Sequence, residues 1–302
     1  MRAWQIGAVL ASLLLPALAQ NEITFSDKVN LVLLDVLVKE PHAGYVLGLG
    51  KDNFHISENG KPRAITQFGG VDAPVTVGLV LDNSGSMRSK RDLVLQAGLA
   101  FAKASNNRDE FFVVNFNNWV IPGLPAQTPF TDSLSVLQHA LYYGRPFGQT
   151  ALYDAVSFSL HHLESGHRDL RTLIVVSDGG DNVSKISRAD LLDQIESSQA
   201  TIYTIGLTDP DNSDLNPAVL RKFAAISGGT YFQPRKLDDV LPIFEEISKD
   251  IRSRYTLGFT PGELSNEHAL RSIKVSATRN GQRFSVKART SYRIPDAVHG
   301  KA

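Results

Sequence analysis

Three oxygen-bearing residues stand at alternate positions in one short segment: Asp82, Ser84 and Ser86. The apolar run 75–81 before them predicts a buried strand, and ligand-binding groups of open α/β sheets collect at the carboxyl ends of such strands. Gly85 allows a tight backbone turn, so one carboxylate and two hydroxyls can surround a single point. Ligands that are all oxygen suit a hard divalent cation such as Mg²⁺, Mn²⁺ or Ca²⁺.

The elements that must position this segment alternate between strands and helices from about residue 71 to residue 251. Strands are predicted over residues 75–81, 110–116, 172–177, 200–207 and 230–232. Helices are predicted over residues 91–104, 151–163, 217–226 and 237–251, and two more run from a capping Thr131 to Tyr142 and from a capping Ser187 to Ser197. Repeated strand–helix units predict a doubly wound, mostly parallel sheet in a three-layer α/β arrangement.

Two β-rich segments flank this unit, at about 22–70 and 254–294. Asn-Gly pairs at 59–60 and 280–281 predict hairpin turns, each between stretches that alternate apolar and polar residues. The candidate inward-facing residues are Phe54, Ile56, Ile65, Phe68, Ile273, Val275, Phe284 and Val286. Because each segment alone is small, we expect the two to pair into one β-sheet or β-sandwich, with the α/β unit inserted between them.

The composition excludes several classes of protein. The chain has 302 residues, with 31 basic and 31 acidic side chains and no cysteine. The absence of cysteine rules out a disulfide scaffold, a Cys-ligated zinc site and a cysteine nucleophile. The balanced charge argues against sequence-independent binding of nucleic acid, because such binding needs a basic surface.

The first residues have the pattern of a cleavable secretory signal peptide. Arg2 precedes a mostly apolar run at 6–18, and Ala-Leu-Ala at 17–19 provides a small-x-small cleavage site before Gln20. The run is shorter than the roughly 20 residues of a membrane span. We therefore expect a secreted or periplasmic protein with no transmembrane segment after cleavage, an uncleaved anchor helix being the alternative.

The spaced Asp and Ser residues resemble the metal-ion-dependent adhesion site (MIDAS) of the von Willebrand factor type A (VWA) domain, which begins with Asp-x-Ser-x-Ser. Asp82, Ser84 and Ser86 occupy those positions. In the family a later loop contributes a Thr, and the similar run Gly-Gln-Thr-Ala-Leu-Tyr-Asp-Ala makes Thr150 the fourth residue. The fifth is an Asp after a central strand, and the run Ser-Asp-Gly-Gly-Asp makes Asp178 that residue.

This resemblance covers residues 74–251 and implies a metal site without catalysis. It implies that Ser84, Ser86 and Thr150 bind Mg²⁺, or Mn²⁺ or Ca²⁺, while Asp82 and Asp178 contribute directly or through water. One coordination position stays open, and an Asp or Glu carboxylate of a protein partner fills it.

The flanking segments resemble those of a secreted VWFA-related family found in acidobacteria. The resemblance rests on the segments 48–60, 255–259 and 286–292. The family's typical ending has a Gly before the final Tyr, whereas this chain has Ser291 there. That likeness bears on architecture and on a bacterial origin more than on activity.

The expected organisation has five parts, in which the two β segments pair with each other around the VWA domain. They are a signal peptide at 1–19, an N-terminal β segment at 20–72, a VWA domain at 73–252, a C-terminal β segment at 253–295 and a tail at 296–302.

We expect the function to be that of an exported, metal-dependent adhesion or assembly module that captures an acidic residue of a partner protein. Nucleic acid is not an expected partner, and the sequence leaves the oligomeric state open.

Two alternative functions stay open. One is a structural envelope protein whose metal only stabilises the fold; the other is a metal-dependent hydrolase with Asp82 as nucleophile. The chain has no Gly-x-Ser-x-Gly elbow, Walker loop or His-Glu-x-x-His motif to support the hydrolase.

Simpler explanations exist for several of these residues. Asp82 could cap the helix that follows it. The acidic segment 209–214 resembles a calcium loop, but it lacks a Gly at the sixth position and has Leu220 where the twelfth-position Glu should stand, so we expect an acidic turn. His161, His162 and His167 cluster near a helix end. Because the adjacent His161 and His162 face different sides of the helix, we expect solvated or dipole-interacting histidines rather than a shared metal.

Overall fold

The computed structural model describes residues 31–41, 43–207, 216–262 and 269–294. Three predicted features lie outside the described residues: the signal peptide at 1–19, the acidic turn at 209–214 and the tail at 296–302.

The described chain begins and ends with short strands around a longer α/β unit. The first strands are β1 (Val32–Glu40), β2 (Gly44–Tyr45), β3 (Phe54–Glu58), β4 (Lys61–Arg63) and β5 (Ile65–Gly69). The α/β unit comprises β6 (Val75–Asp82), α1 (Arg91–Lys103), β7 (Glu110–Phe116), β8 (Val120–Pro122), α2 (Leu134–Tyr142), α3 (Leu152–Glu164), β9 (Leu170–Ser177), α4 (Arg188–Ser197), β10 (Thr201–Gly206), α5 (Pro217–Ser227), β11 (Tyr231–Phe232) and α6 (Val240–Arg252). The last strands are β12 (Arg254–Phe259), β13 (Arg271–Arg279), β14 (Gln282–Arg283), β15 (Ser285–Lys287) and β16 (Ser291–Tyr292).

The α/β unit is built on a six-stranded sheet with the order β11-β10-β9-β6-β7-β8. All neighbouring strands are parallel except the pair β7–β8, which is antiparallel. Helices α1, α2 and α6 pack together in one layer and α3, α4 and α5 in the other. Every residue of β6 is buried, since both of its faces are covered. These three layers confirm the predicted doubly wound fold.

One predicted helix starts later than expected. Thr131 was predicted to cap a helix that runs to Tyr142, but Ser133 stands at the N-cap position and α2 begins at Leu134. The backbone N–H and C=O of Thr131 both hydrogen-bond to Phe111, with N···O distances of 2.8 Å, so Thr131 extends the sheet instead. Tertiary pairing therefore overrides the local helix signal at this position.

The flanking strands form a β-sandwich to which both segments contribute. One sheet has the order β15-β1-β12-β5, and the other has the order β14-β13-β3-β4. Strand β1 pairs with β12 and β3 pairs with β13, so residues more than 200 positions apart share a ladder. The buried side chains between the sheets include Leu34, Phe54, Ile56, Tyr255 and Leu257. The flanking β-sandwich built from both ends of the chain is thus also as predicted.

Both Asn-Gly pairs form turns with positive φ angles, as the hairpin prediction requires. The second hairpin differs from expectation after its turn. Residues 283–288 were predicted to alternate back along β13, but within the segment that follows the turn only the two residues of β14 pair with β13. The chain then crosses to the other sheet, where β15 pairs with β1. Strands that change sheets at a corner are a common way to close a sandwich.

The α/β unit is inserted between β5 and β12 of the sandwich, and these two strands pair with each other. The chain therefore enters and leaves the α/β unit at neighbouring points. The sandwich therefore packs at the amino ends of the central strands, away from their carboxyl ends. Arg289 marks this contact: its guanidinium donates to the carbonyl of Ser198 at 2.6 Å, just before β10.

The buried guanidinium of Arg254 joins the two units. It donates to the Tyr203 hydroxyl at 2.9 Å, to the Asp35 carbonyl at 3.0 Å and to the Gly228 carbonyl at 2.9 Å. The Asp35 carboxylate accepts from the hydroxyl of Thr201 at 3.0 Å. Burial raises the pKa of Asp35, and the nearby charge of Arg254 opposes that increase. Arg254 therefore offsets a buried negative charge as well as bridging the units.

We predict that Arg254→Ala destabilises the protein by about 3–5 kcal/mol, because it leaves buried acceptors and the Asp35 carboxylate without their cation. Urea unfolding at pH 7, followed by circular dichroism, measures the change. Arg283→Ala is the control, since Arg283 is exposed in β14 and should change stability by no more than about 0.5 kcal/mol. Equal effects of the two substitutions would contradict the proposed role of Arg254.

Candidate metal centre

Asp82 is the last residue of β6, and its carboxylate organises the turn that follows. The backbone N–H of Ser84 donates to Asp82 Oδ1 at 2.8 Å. A short 3-10 turn then covers Gly85–Met87. Helix α1 begins only at Arg91 and has no side-chain cap, so Asp82 does not cap it. The simpler explanation of Asp82 as a helix cap is therefore wrong.

A chain of hydrogen bonds brings the two carboxylates and two serines together. The hydroxyls of Ser84 and Ser86 are 3.1 Å apart, and Ser86 donates to Asp178 Oδ2 at 2.7 Å. Asp178 follows β9, which is the direct neighbour of β6. The carboxyl ends of parallel neighbours meet at one edge of the sheet, which explains why residues 92 positions apart are in contact.

The loop that carries Thr150 lies against the same turn. The backbone N–H of Gly85 donates to the carbonyl of Gly148 at 3.1 Å. On its other side, the N–H of Thr150 donates to the side chain of Asn182 at 2.9 Å, and the N–H of Asn182 donates back to the Thr150 carbonyl at 3.0 Å. Thr150 is therefore held, buried, between the Ser84–Ser86 turn and the loop after Asp178.

Sequence reasoning missed Ser177, which completes the surroundings of Asp82. Its hydroxyl donates to Asp82 Oδ2 at 2.7 Å and accepts from the N–H of Gly179 at 3.0 Å. Ser177 thus links the ends of β6 and β9. Its position directly before Asp178 was the available signal, but the pattern did not show that its hydroxyl faces β6.

Burial dominates the electrostatics of Asp82. It raises the pKa of Asp82 to about 6, while hydrogen bonds from Ser84 and Ser177 oppose the increase and the negative charge of Asp178 adds to it. The ionised carboxylate is therefore costly in the protein by itself, and a cation placed beside both carboxylates would lower that cost.

The donor set fits a hard divalent cation. Two carboxylates and neighbouring serine hydroxyls are oxygen ligands of the kind that Mg²⁺, Mn²⁺ and Ca²⁺ take. Among the described residues, no three His, Cys, Asp or Glu side chains are grouped so that they could hold a metal. Any metal here would therefore depend on hydroxyl ligands in addition to Asp82 and Asp178, which is the donor set that the sequence analysis expects.

Two further acidic residues support the loops around the site. Asp181 Oδ1 accepts from the N–H of Tyr153 at 3.0 Å. The Asp154 carboxylate accepts from the backbone N–H groups of Lys185 and Ile186, each at 3.0 Å. These contacts hold the first turn of α3 against the loop that follows Asp178.

The histidines near the end of α3 have separate partners. His161 Nδ1 lies 2.9 Å from the carbonyl of Ser157. The His162 ring packs against Phe112 and Phe130, and its Nε2 lies 3.0 Å from a backbone carbonyl. His161 is exposed, as predicted, whereas His162 is half-buried against aromatic rings and is not simply solvated.

Comparison with known proteins places the α/β unit in a family. Residues 77–180 match the family model described as the von Willebrand factor type A domain. Residues 77–180 are therefore assigned to a von Willebrand factor type A domain. The matched range includes Asp82, Ser84, Ser86, Thr150 and Asp178. A search of curated proteins gave no significant match.

Solved structures show the same fold. A von Willebrand factor type A protein from Catenulispora acidiphila is 15% identical, with a TM-score of 0.53 over 81% of this chain and 74% of that one. Proximal thread matrix protein 1 from the mussel byssus is 17% identical, with a TM-score of 0.50 over 61% of this chain and 48% of that one. In the part of the chain that the structure describes, no helix has the length and hydrophobicity of a membrane span.

We predict that Asp82→Asn stabilises the metal-free protein at pH 7 by up to about 3 kcal/mol, because it removes a buried charge whose pKa is raised from 3.8 to about 6. A carboxyl with a raised pKa in the folded state costs stability when ionised. The gain should therefore be absent below about pH 4, grow as the pH rises to about 6 and stay constant above it.

Urea unfolding in EDTA at several pH values measures this difference. Asp92→Asn, an exposed carboxyl on α1, is the matched control and should show no such trend. A destabilised Asp82→Asn variant at pH 7 would contradict the electrostatic account of the site.

Proposed function

We propose that this protein is an exported module that binds a partner protein through a divalent cation. The supporting observation is the convergence of Asp82, Ser84, Ser86 and Asp178 through hydrogen bonds, with the Thr150 loop held against them. The VWA family match and the signal-peptide pattern are consistent with this role. The function proposed is adhesion or assembly, not catalysis.

The residues of the site would contribute two kinds of oxygen ligand to the cation. Asp82 and Asp178 supply negative charge, and Ser84, Ser86 and Thr150 supply neutral oxygens. A bound cation supplies an open position for one more oxygen ligand. Two carboxylates balance the charge of a divalent cation, so the occupied site carries no net negative charge that would repel an anion. The ion's own positive charge then attracts an anionic oxygen from outside. An Asp or Glu side chain of a partner protein provides such an oxygen.

The position of the site in the fold suits an interaction surface. The sandwich covers the amino ends of the central strands, whereas the candidate site lies at their carboxyl ends. Gly85 is exposed and Ser86 is half-buried, so the turn can be reached from solvent. A partner can therefore approach the site without displacing the sandwich.

We predict that Mg²⁺ or Mn²⁺ binds the purified protein and that Asp82→Ala and Thr150→Ala each weaken this binding by at least about tenfold. Isothermal titration calorimetry measures the affinities. Asp92→Ala and Thr128→Ala are matched controls, since both residues are exposed and neither is one of the proposed ligands. Unchanged affinity in both site variants would disprove the assigned ligands.

We predict that capture of a partner from an envelope extract requires the cation. Immobilised protein should retain the partner in Mg²⁺, release it in EDTA and fail to retain it after Asp82→Ala. The Asp92→Ala variant should behave as the unaltered protein does. Retention that EDTA does not affect would favour a structural protein whose metal only stabilises the fold.

A further inference from the structure

A pair of exposed aromatic side chains lies beside the candidate metal centre. Trp119 is 62% exposed and Phe147 is 47% exposed, and their ring centroids are 6.2 Å apart. Trp119 belongs to the loop between β7 and β8, and Phe147 belongs to the loop between α2 and α3 that also carries Thr150. Tyr143, on this second loop, is 58% exposed. The two aromatic side chains therefore come from two different loops at the same edge of the sheet.

Backbone hydrogen bonds tie both loops to the site. The N–H of Phe147 donates to the carbonyl of Asn83, the residue that follows Asp82, at 3.0 Å. The N–H of Ala151 donates to the carbonyl of Asn117 at 2.8 Å, and the N–H of Asn117 donates to the carbonyl of Trp119 at 3.1 Å. The aromatic pair is thus held at a set distance from Thr150.

The side chain of Asn118 fixes the spacing between the two loops. Its amide oxygen accepts from the N–H of Gln149 at 2.9 Å. Gly148 has a φ of +78°, and a Cβ there would collide with the same amide oxygen. The close approach of the loops therefore needs a glycine at this position. Because the loops are already joined, binding would have to order only the two aromatic side chains and not the loops that carry them.

We propose that Trp119 and Phe147 bind a large apolar side chain of the same protein segment whose Asp or Glu carboxylate occupies the metal centre. This inference rests on the proposed function. Phe147 is three residues from Thr150, so their Cα atoms are at most about 11 Å apart. An extended partner rises about 3.3 Å per residue. The apolar side chain therefore stands one to four residues from the carboxylate.

Charge favours an acidic partner on this surface. Arg145 is exposed between Tyr143 and Phe147, and Arg88 is exposed directly after the 3-10 turn of the site. Cations beside an exposed aromatic pair attract a segment that carries carboxylates and apolar side chains together. Exposed Trp and Arg residues are also the side chains that contribute most often to binding energy in protein interfaces.

Synthetic peptides test this proposal directly. Each is a capped, fluorescently labelled Ser/Gly hexapeptide with one Glu, and in the test set a Phe stands one, two, three or four residues before or after it. Anisotropy in Mn²⁺ should show at least one Phe peptide binding about tenfold or more tightly than the peptide with Glu alone, which corresponds to about 1.4 kcal/mol. EDTA should abolish binding of every peptide.

The preference for Phe should disappear in Trp119→Ala and Phe147→Ala, while Mn²⁺ affinity by calorimetry and binding of the Glu-only peptide stay unchanged. Leu270→Ala is the control, because Leu270 is 48% exposed in the sandwich segment before β13 and should keep the preference. Circular dichroism checks that all variants are folded.

The outcomes separate this inference from the proposed function. Equal binding of all peptides, or a preference that survives both aromatic substitutions, would overturn the role of the pair and leave the metal site intact. Absence of Mn²⁺ binding, or of Glu binding in Mn²⁺, would overturn the proposed function itself. Dimers that form in Mn²⁺ and vanish in Trp119→Ala would assign the pair to a second copy of the chain instead, and would also overturn the inference.

Discussion

The arrangement of this edge of the molecule depends on keeping two carboxylates, Asp82 and Asp178, in a nearly dry environment. Both are almost fully buried, because they end neighbouring strands in the middle of a sheet that is covered on both faces. An ionised group in such a place must be solvated by the protein itself. Ser177, Ser84 and Ser86 do so, and the loops that carry them are tied together as a consequence.

The two ends of the central sheet bury charge in different ways. At the amino ends, the guanidinium of Arg254 donates to carbonyls and a tyrosine hydroxyl and offsets the charge of the Asp35 carboxylate. The buried negative charge at this contact is therefore offset by a cation of the protein itself. At the carboxyl ends, burial raises the pKa of Asp82, and the negative charge of Asp178 adds to this increase instead of opposing it. The first arrangement fixes the sandwich to the α/β unit. The second suits a site that takes its cation from solution.

Much of the fold could be predicted because local patterns and burial agree. The continuous apolar run of β6 and the Asn-Gly turns at 59–60 and 280–281 have short-range physical causes, and the structure contains them as expected. The crossing of the chain from β14 to β15 was not predictable, because the alternation of residues 283–288 suits either sheet. Thr131 is similar: only its pairing with Phe111 decides against the helix.

The candidate site divides in the same way. The sequence by itself predicted Asp82, Ser84 and Ser86 as oxygen donors, because their spacing after a buried strand places oxygens around one point. Thr150 and Asp178 followed only from resemblance to a family. Tertiary structure alone decided that Ser177 faces Asp82, and that Trp119 and Phe147 meet beside the site. The physical reason is that these contacts join loops from different strands, whose approach depends on sheet order and not on local spacing.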